Sequence, residues 1–225
     1  MTRHRLARWG PLVVGVGCLA VMFGVGLRLR RVQGPVGLDV RTARPVFARP
    51  FGIEIVPDRL AEQFSRLGRP IPFAVMVMGL VVWALWRRDL IAAVTAFVGP
   101  LLAVLGAEFG KGMFDRTYAG VDAYPSGHTS ALTAIAAVVI LIAWRRWGRR
   151  SLWTTVPIAV VLSGGMVLTV VRTHSHFMSD ALGGVLLGGG AVLSLATVLM
   201  LGWPHSQIGW RRNGYQHPEL DQYGL

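Results

Sequence analysis

Six runs of apolar residues, at about 11–27, 71–86, 89–107, 129–144, 153–171 and 181–202, alternate along the chain with short polar segments. A helix needs roughly 20 such residues to cross a bilayer, so the pattern predicts six transmembrane helices. Pro100, Pro157, Gly164-Gly165 and Gly188 to Gly190 lie inside these runs. Membrane helices carry such residues more readily than soluble ones, and glycines in the last two helices permit close helix–helix approach. The expected fold is all-α: an integral membrane bundle of six transmembrane helices, with helices 2–6 as its core. Residues 1–27 read as an uncleaved signal anchor, because Arg3, Arg5 and Arg8 precede the first run and no small-x-small cleavage site follows. Residues 28–70 form an extracytoplasmic loop, 71–202 the five-helix core, and 203–225 a cytoplasmic tail.

Composition sharpens this picture. Hydrophobic residues make up 53% of the chain and charged residues 15%, against about a quarter charged in soluble domains. The formal net charge of +12 does not point to nucleic acid, because the arginines sit in short clusters between apolar runs, such as Arg87-Arg88 and Arg145 to Arg150. Those clusters are topology signals. They place both termini inside and the protein in the cell membrane as a multi-pass chain; Arg28, Arg30 and Arg31 oppose this assignment. In the long loop, Leu60, Phe64 and Leu67 recur at helical spacing after Pro57-Asp58. That predicts an amphipathic helix, lying in the membrane interface or packed on the bundle. Cys18 is alone, so no disulfide framework exists.

Three polar clusters fall at helix ends on the outer side. Ionisable residues at membrane depth are expensive and point to function. The first cluster is Glu108, Lys111, Asp115 and Arg116, in which Lys111 is the only lysine among 23 basic residues. Glu108 precedes Lys111 by three residues and is placed to pair with it. In the second, Tyr124-Pro125-Ser126-Gly127-His128, a tight turn opens a helix. Backbone N–H groups at such a start favour an anion, and His128 on the first turn can donate a proton to a leaving oxygen. Ser126 alone would equally serve as an ordinary N-cap. The third holds Arg172, His174, His176 and Asp180. On a continuing helix Arg172, His176 and Asp180 share one face, so Asp180 would orient His176 for nucleophilic attack while Arg172 meets phosphate oxygens. A structural ion-pair ladder fits the same spacing.

Read together, these residues resemble the type-2 phosphatidic-acid phosphatase superfamily over about residues 71–202. Its signature is Lys-x6-Arg-Pro, then Pro-Ser-Gly-His, then Ser-Arg-x5-His-x3-Asp. Pro125-Ser126-Gly127-His128 matches the middle motif in full, and His176-x3-Asp180 matches the end of the third. Lys111-x4-Arg116 fits a variant opening of the first motif, but Tyr118-Ala119 stands where Arg-Pro is expected. The third-motif arginine would fall at Val170, two residues before Arg172.

The resemblance implies a phosphohistidine on His176, with His128 as acid then base and Asp180 orienting the nucleophile. Lys111, Arg116, Ser126, Gly127 and Arg172 would bind the phosphate, and no metal or cofactor is needed. His174 or an arginine of the long loop would supply a missing cation. The substrate implied is a lipid phosphate or diphosphate, of a polyprenyl carrier or phosphatidate-like lipid, hydrolysed on the extracytoplasmic side. Two other readings stay open: a lipid phosphotransferase using the same site, and a non-catalytic lipid-phosphate binder. A metal site from His128, His174, His176 and Asp180 is disfavoured, since Lys111 and Arg172 would repel a cation.

Overall fold

Helix dominates, and long apolar helices fit a membrane protein because a helix satisfies all of its backbone groups within its own segment. The computed structural model describes residues 2–47 and 57–202; the expected tail at 203–225 lies outside them. The helices are α1 (Thr2–Leu29), α2 (Gly37–Phe47), α3 (Asp58–Ser65), α4 (Pro70–Trp86), α5 (Leu90–Phe114), α6 (Gly127–Trp147), α7 (Leu152–Arg172) and α8 (Met178–Gly202). A single 3-10 turn, Arg66–Gly68, joins α3 to α4. Each expected apolar run is helical. Within the expected loop at 28–70, the described residues form α2 as well as the expected α3.

Among the described residues, four stretches are long and apolar enough to cross a bilayer: Trp9–Leu29, Leu90–Phe114, Gly127–Arg172 and Met178–Gly202. A fifth is added if Asp58–Gly68 and Pro70–Trp86, bent by 59°, count as one. By length and composition this gives four to five crossings where six were expected. The 46-residue stretch Gly127–Arg172 is two helices folded back on each other, for Leu132 near the start of α6 packs with Met166, Val167 and Val170 near the end of α7. The turn between them begins at Gly148, whose φ of 70° is in the left-handed region that glycine adopts without penalty. At that same end Arg145 makes a bidentate pair with Asp89, at 2.9 and 3.0 Å, tying α6 to the start of α5.

The central element is α8, which packs on α1, α5, α6 and α7. Its glycines set the separation. A Cβ at Gly184 would lie 2.6 Å from the Ser126 carbonyl oxygen, and one at Gly188 would overlap the Ser130 carbonyl oxygen. On another face, a Cβ at Gly190 would lie 2.9 Å from the Gly15 carbonyl oxygen in α1. This is close packing through small residues, which replaces the hydrophobic drive that helices lack in lipid. Gly188→Ala is therefore expected to cost about 1–3 kcal/mol through forced backbone separation, measurable as a lowered Tm of the detergent-solubilised protein. An unchanged Tm would mean that α6 and α8 are not in such contact.

Candidate active site

One end of the bundle gathers the C-termini of α1, α5 and α7 with the N-termini of α4, α6 and α8. The Arg31 N–H donates to the Phe114 carbonyl (3.0 Å), and the Ser126 N–H donates to the Asp180 carbonyl (3.0 Å). The second of these bonds joins the second cluster to the third, and Arg116 Nε, donating to Asp180 at 2.6 Å, joins the first to the third.

The turn before α6 is held rigidly. Tyr124 is buried; its hydroxyl donates to the Met22 carbonyl at 2.6 Å, its ring stands edge-on to Phe114 at 5.4 Å, and Gly183 of α8 packs flat against it. Burial raises the pKa of its phenol, so the hydroxyl stays protonated and remains a donor. Ser126 is also buried but makes no side-chain cap on α6; its oxygen instead accepts from the Thr129 hydroxyl at 3.2 Å. The N-cap reading of Ser126 is thereby set aside, and the first amides of α6 are left uncapped by it. Lys111 reaches this same point. Its ammonium pairs with Glu108 at 2.7 Å, as the spacing predicted, and a Cβ at Gly127 would stand 3.8 Å from Nζ.

His176 lies outside the helices, in the turn between α7 and α8. The expected single helical face through Arg172, His176 and Asp180 does not exist. The chain leaves α7 after Arg172, turns through His174 at a φ of 53°, and starts α8 at Met178. As a consequence Asp180 does not bond His176. One of its oxygens accepts from Arg116 Nε at 2.6 Å and the other from the Phe177 N–H at 3.0 Å. Asp180 thus caps the start of α8 and fixes the residue next to His176, positioning the imidazole through the backbone.

The His176 Nδ1 is sealed from solvent and has no hydrogen-bond partner among the described residues. Burial, first of all, and then His128 and Lys111 lower its pKa to about 4, while backbone hydrogen bonding at Ala123 acts weakly the other way. The ring is therefore the neutral free base at physiological pH, the form in which an imidazole is a nucleophile.

Arg116 departs furthest from expectation. It is wholly buried, and its donors are occupied by Asp180, Asp39 (3.0 Å), the Ser179 hydroxyl (3.2 Å) and the Gly34 carbonyl (3.3 Å). Its guanidinium also lies over the Phe177 ring at 4.8 Å. A buried cation with two carboxylates is a structural tie, and it presents no donor to a phosphate. Arg172 is held by Asp58 of α3 at 2.8 Å. His174 is exposed, with Nδ1 3.5 Å from the Tyr118 hydroxyl.

The departure at Tyr118-Ala119 has a local cause. These residues belong to a hairpin, β1 (Thr117–Tyr118) with β2 (Val121–Asp122), whose two turn residues Ala119 and Gly120 have φ of 51° and 82°. Proline is locked near −65°, so a proline at 119 cannot make this turn. Tyr118 packs instead against Phe177 at 4.5 Å, bracing the His176 turn.

Two neighbours of the site were not foreseen. Asp39 of α2 is buried and accepts from Arg116, from the Ser179 N–H at 2.8 Å and from the Ser179 hydroxyl at 3.1 Å. Gly68 lies directly against the imidazole of His128, where any Cβ would overlap the ring. The sequence signals were faint: an acidic residue two past Gly37, and a Gly-Arg-Pro step before an apolar run. Among the described residues no three His, Cys, Asp or Glu side chains converge as a metal-binding group.

Beside Gly68 opens a cleft of about 420 Å³ between α3 and α7, lined by Leu60, Ala61, Gln63, Phe64, Leu67, Gly165, Leu168 and Thr169. Of the expected amphipathic stripe, Phe64 of α3 and Leu67 of the 3-10 turn pack against the α6–α7 cluster, whereas Leu60 is exposed and Ala61 is the buried residue of α3.

The sequence model of the PAP2 superfamily matches residues 105–203, which span all three polar clusters. Members of that superfamily are phosphatases and phosphoesterases. No curated protein and no solved structure matches the chain.

Proposed function

We propose that this chain, whose residues 105–203 belong to the PAP2 superfamily, is a membrane lipid phosphate phosphatase working through a phosphohistidine. The observation that carries the reading is the 3.0 Å bond from the Ser126 N–H to the Asp180 carbonyl, which joins the Pro-Ser-Gly-His turn to the segment bearing His176, with the Lys111 ammonium at Gly127. Since Nδ1 is sealed, Nε2 is the attacking atom. It bonds to phosphorus as the P–O bond to the lipid breaks, and His128 gives its proton to the departing lipid oxygen. His128, now neutral, takes a proton from water; the hydroxide displaces His176 and inorganic phosphate leaves. Lys111 and the uncapped amides of α6 at Gly127 and His128 hold the equatorial oxygens, where the transition state gathers negative charge.

The apolar cleft supports a lipid substrate, because its lining residue Leu67 is adjacent to Gly68 on the His128 ring. A hydrocarbon chain lying in the cleft would leave its phosphate at the histidines. The reading includes six crossings, formed by α1, α4, α5, α6, α7 and α8. The site faces away from the cytoplasm, since Arg87, Arg88, Arg145, Arg146, Arg149 and Arg150 cluster at the opposite end.

Phosphate release from phosphatidate and a polyprenyl diphosphate in mixed micelles tests the proposal, with a water-soluble phosphomonoester alongside. The lipids are expected to turn over with a higher kcat/KM, at rates a chelator leaves unchanged. Activity confined to the soluble ester would sink the lipid assignment, and loss of activity with chelator would sink the mechanism.

A further inference from the structure

Resting on the phosphatase reading above, the geometry points to Arg69 as the phosphate-binding cation that completes the site from outside the family motifs. The need for it is visible in the site. Arg116 is enclosed by Asp39 and Asp180, and Arg172 is tied to Asp58. Of the cations assigned to phosphate from the sequence, this leaves Lys111 at the histidines. A phosphoryl group carries about two negative charges at neutral pH, and one ammonium beside a helix start leaves part of that charge unmatched.

Arg69 stands where the second cation is required. Gly68, the residue before it, has its backbone against the His128 imidazole, an approach that only glycine permits. Arg69 is the N-cap of α4, with extended backbone (φ −72°, ψ 155°) ahead of Pro70 at the first helical position. Its position is thus fixed by the bend between α3 and α4 rather than by a mobile loop. It is exposed at the site end of the bundle and makes no ion pair among the described residues, whereas Arg66, three residues earlier, is paired with Glu62. Gly68 touches the His128 ring and Lys111 Nζ stands at Gly127, the residue before it; burial first, then the charges of Lys111 and Arg69, lower the His128 pKa. An arginine there offers planar paired donors to phosphate oxygens, complementing the point charge of the lysine.

The same bend connects the two halves of a lipid phosphate. Leu67 lines the apolar cleft, Gly68 covers His128, and Arg69 follows. Three consecutive residues thus address the hydrocarbon, the reacting centre and the phosphate.

The test compares purified wild type, Arg69→Ala, Arg69→Lys and Arg66→Ala, using the lipid phosphate that wild type hydrolyses and inorganic phosphate as a competitive inhibitor. Loss of a charge-assisted contact is expected to lower kcat/KM roughly 10- to 100-fold in Arg69→Ala and to weaken phosphate inhibition by a similar factor. Arg69→Lys should recover part of both, and Arg66→Ala should behave as wild type. Equal Tm values would show that Arg69→Ala is folded. Wild-type kinetics in Arg69→Ala would overturn the assignment, as would a lost rate with unaltered phosphate inhibition and no recovery by lysine. An inactive wild type would instead remove the phosphatase reading itself.

Discussion

Replacing His176 by alanine removes phosphate release altogether, and replacing His128 by alanine lowers it by roughly 10²- to 10⁴-fold. The difference follows from the two roles. A general acid contributes about that factor, whereas without the nucleophile the covalent path is closed. Both proteins should keep the wild-type Tm, because the buried ion pairs of the fold run through Arg116, Asp39 and Asp180 and not through either histidine; His176 Nδ1 has no partner to lose among the described residues. The acid limb of wild-type kcat/KM should fall well below the ordinary histidine value of about 6.5. Burial, with His128 and Lys111, holds the His176 pKa near 4, so the nucleophile stays unprotonated as pH drops from 7 to 5. The stability linkage has the same sign: the unfolded chain takes up a proton below about 6.5 that the folded ring refuses until near 4, so folding weakens as pH falls through that window. Measurable phosphate release by His176→Ala at neutral pH would contradict the nucleophile assignment.

The second large effect is on folding rather than on chemistry. Arg116→Ala should destabilise the protein by about 3–5 kcal/mol, because Asp39 and Asp180 would be left buried without their cation. For a chain of this length that corresponds to a fall in Tm of roughly 10 °C. Were Arg116 a phosphate ligand, the same substitution would leave Tm in place and lower only the rate. Thermal unfolding in detergent, beside kcat/KM measured well below the transition, distinguishes the two outcomes. A normal Tm with a lost rate would return Arg116 to the phosphate site.

The helices were legible because apolar runs and the lipid solvent leave the backbone one solution. Their ends were legible where the signal was local, as in Pro57-Asp58 before α3, Glu108 three residues before Lys111, and the Pro-Ser-Gly-His step into α6. What stayed hidden was long-range. Nothing in the periodicity of the chain pairs Arg116 with Asp39, which lies 77 positions away. The turn after Arg172 was also hidden, since Arg172, His176 and Asp180 have helical spacing on a chain that is not helical there. The departure at Tyr118-Ala119 looked like the loss of one cation from the phosphate site. The structure gives it a reason in the hairpin turn and in the packing of Tyr118 on Phe177. Which arginine of the long loop stands nearest the site was not legible, because Gly68-Arg69 sits in a segment without a motif and only packing brings Gly68 onto His128.

The central claim is the covalent intermediate on His176. It is tested most directly by mixing the enzyme with a lipid phosphate labelled at phosphorus and quenching in alkali, where a phosphorus–nitrogen bond to imidazole survives. The label is expected on the peptide carrying His176, and to be absent from His176→Ala. Steady release of labelled phosphate with no label on that peptide at any quench time would contradict the account.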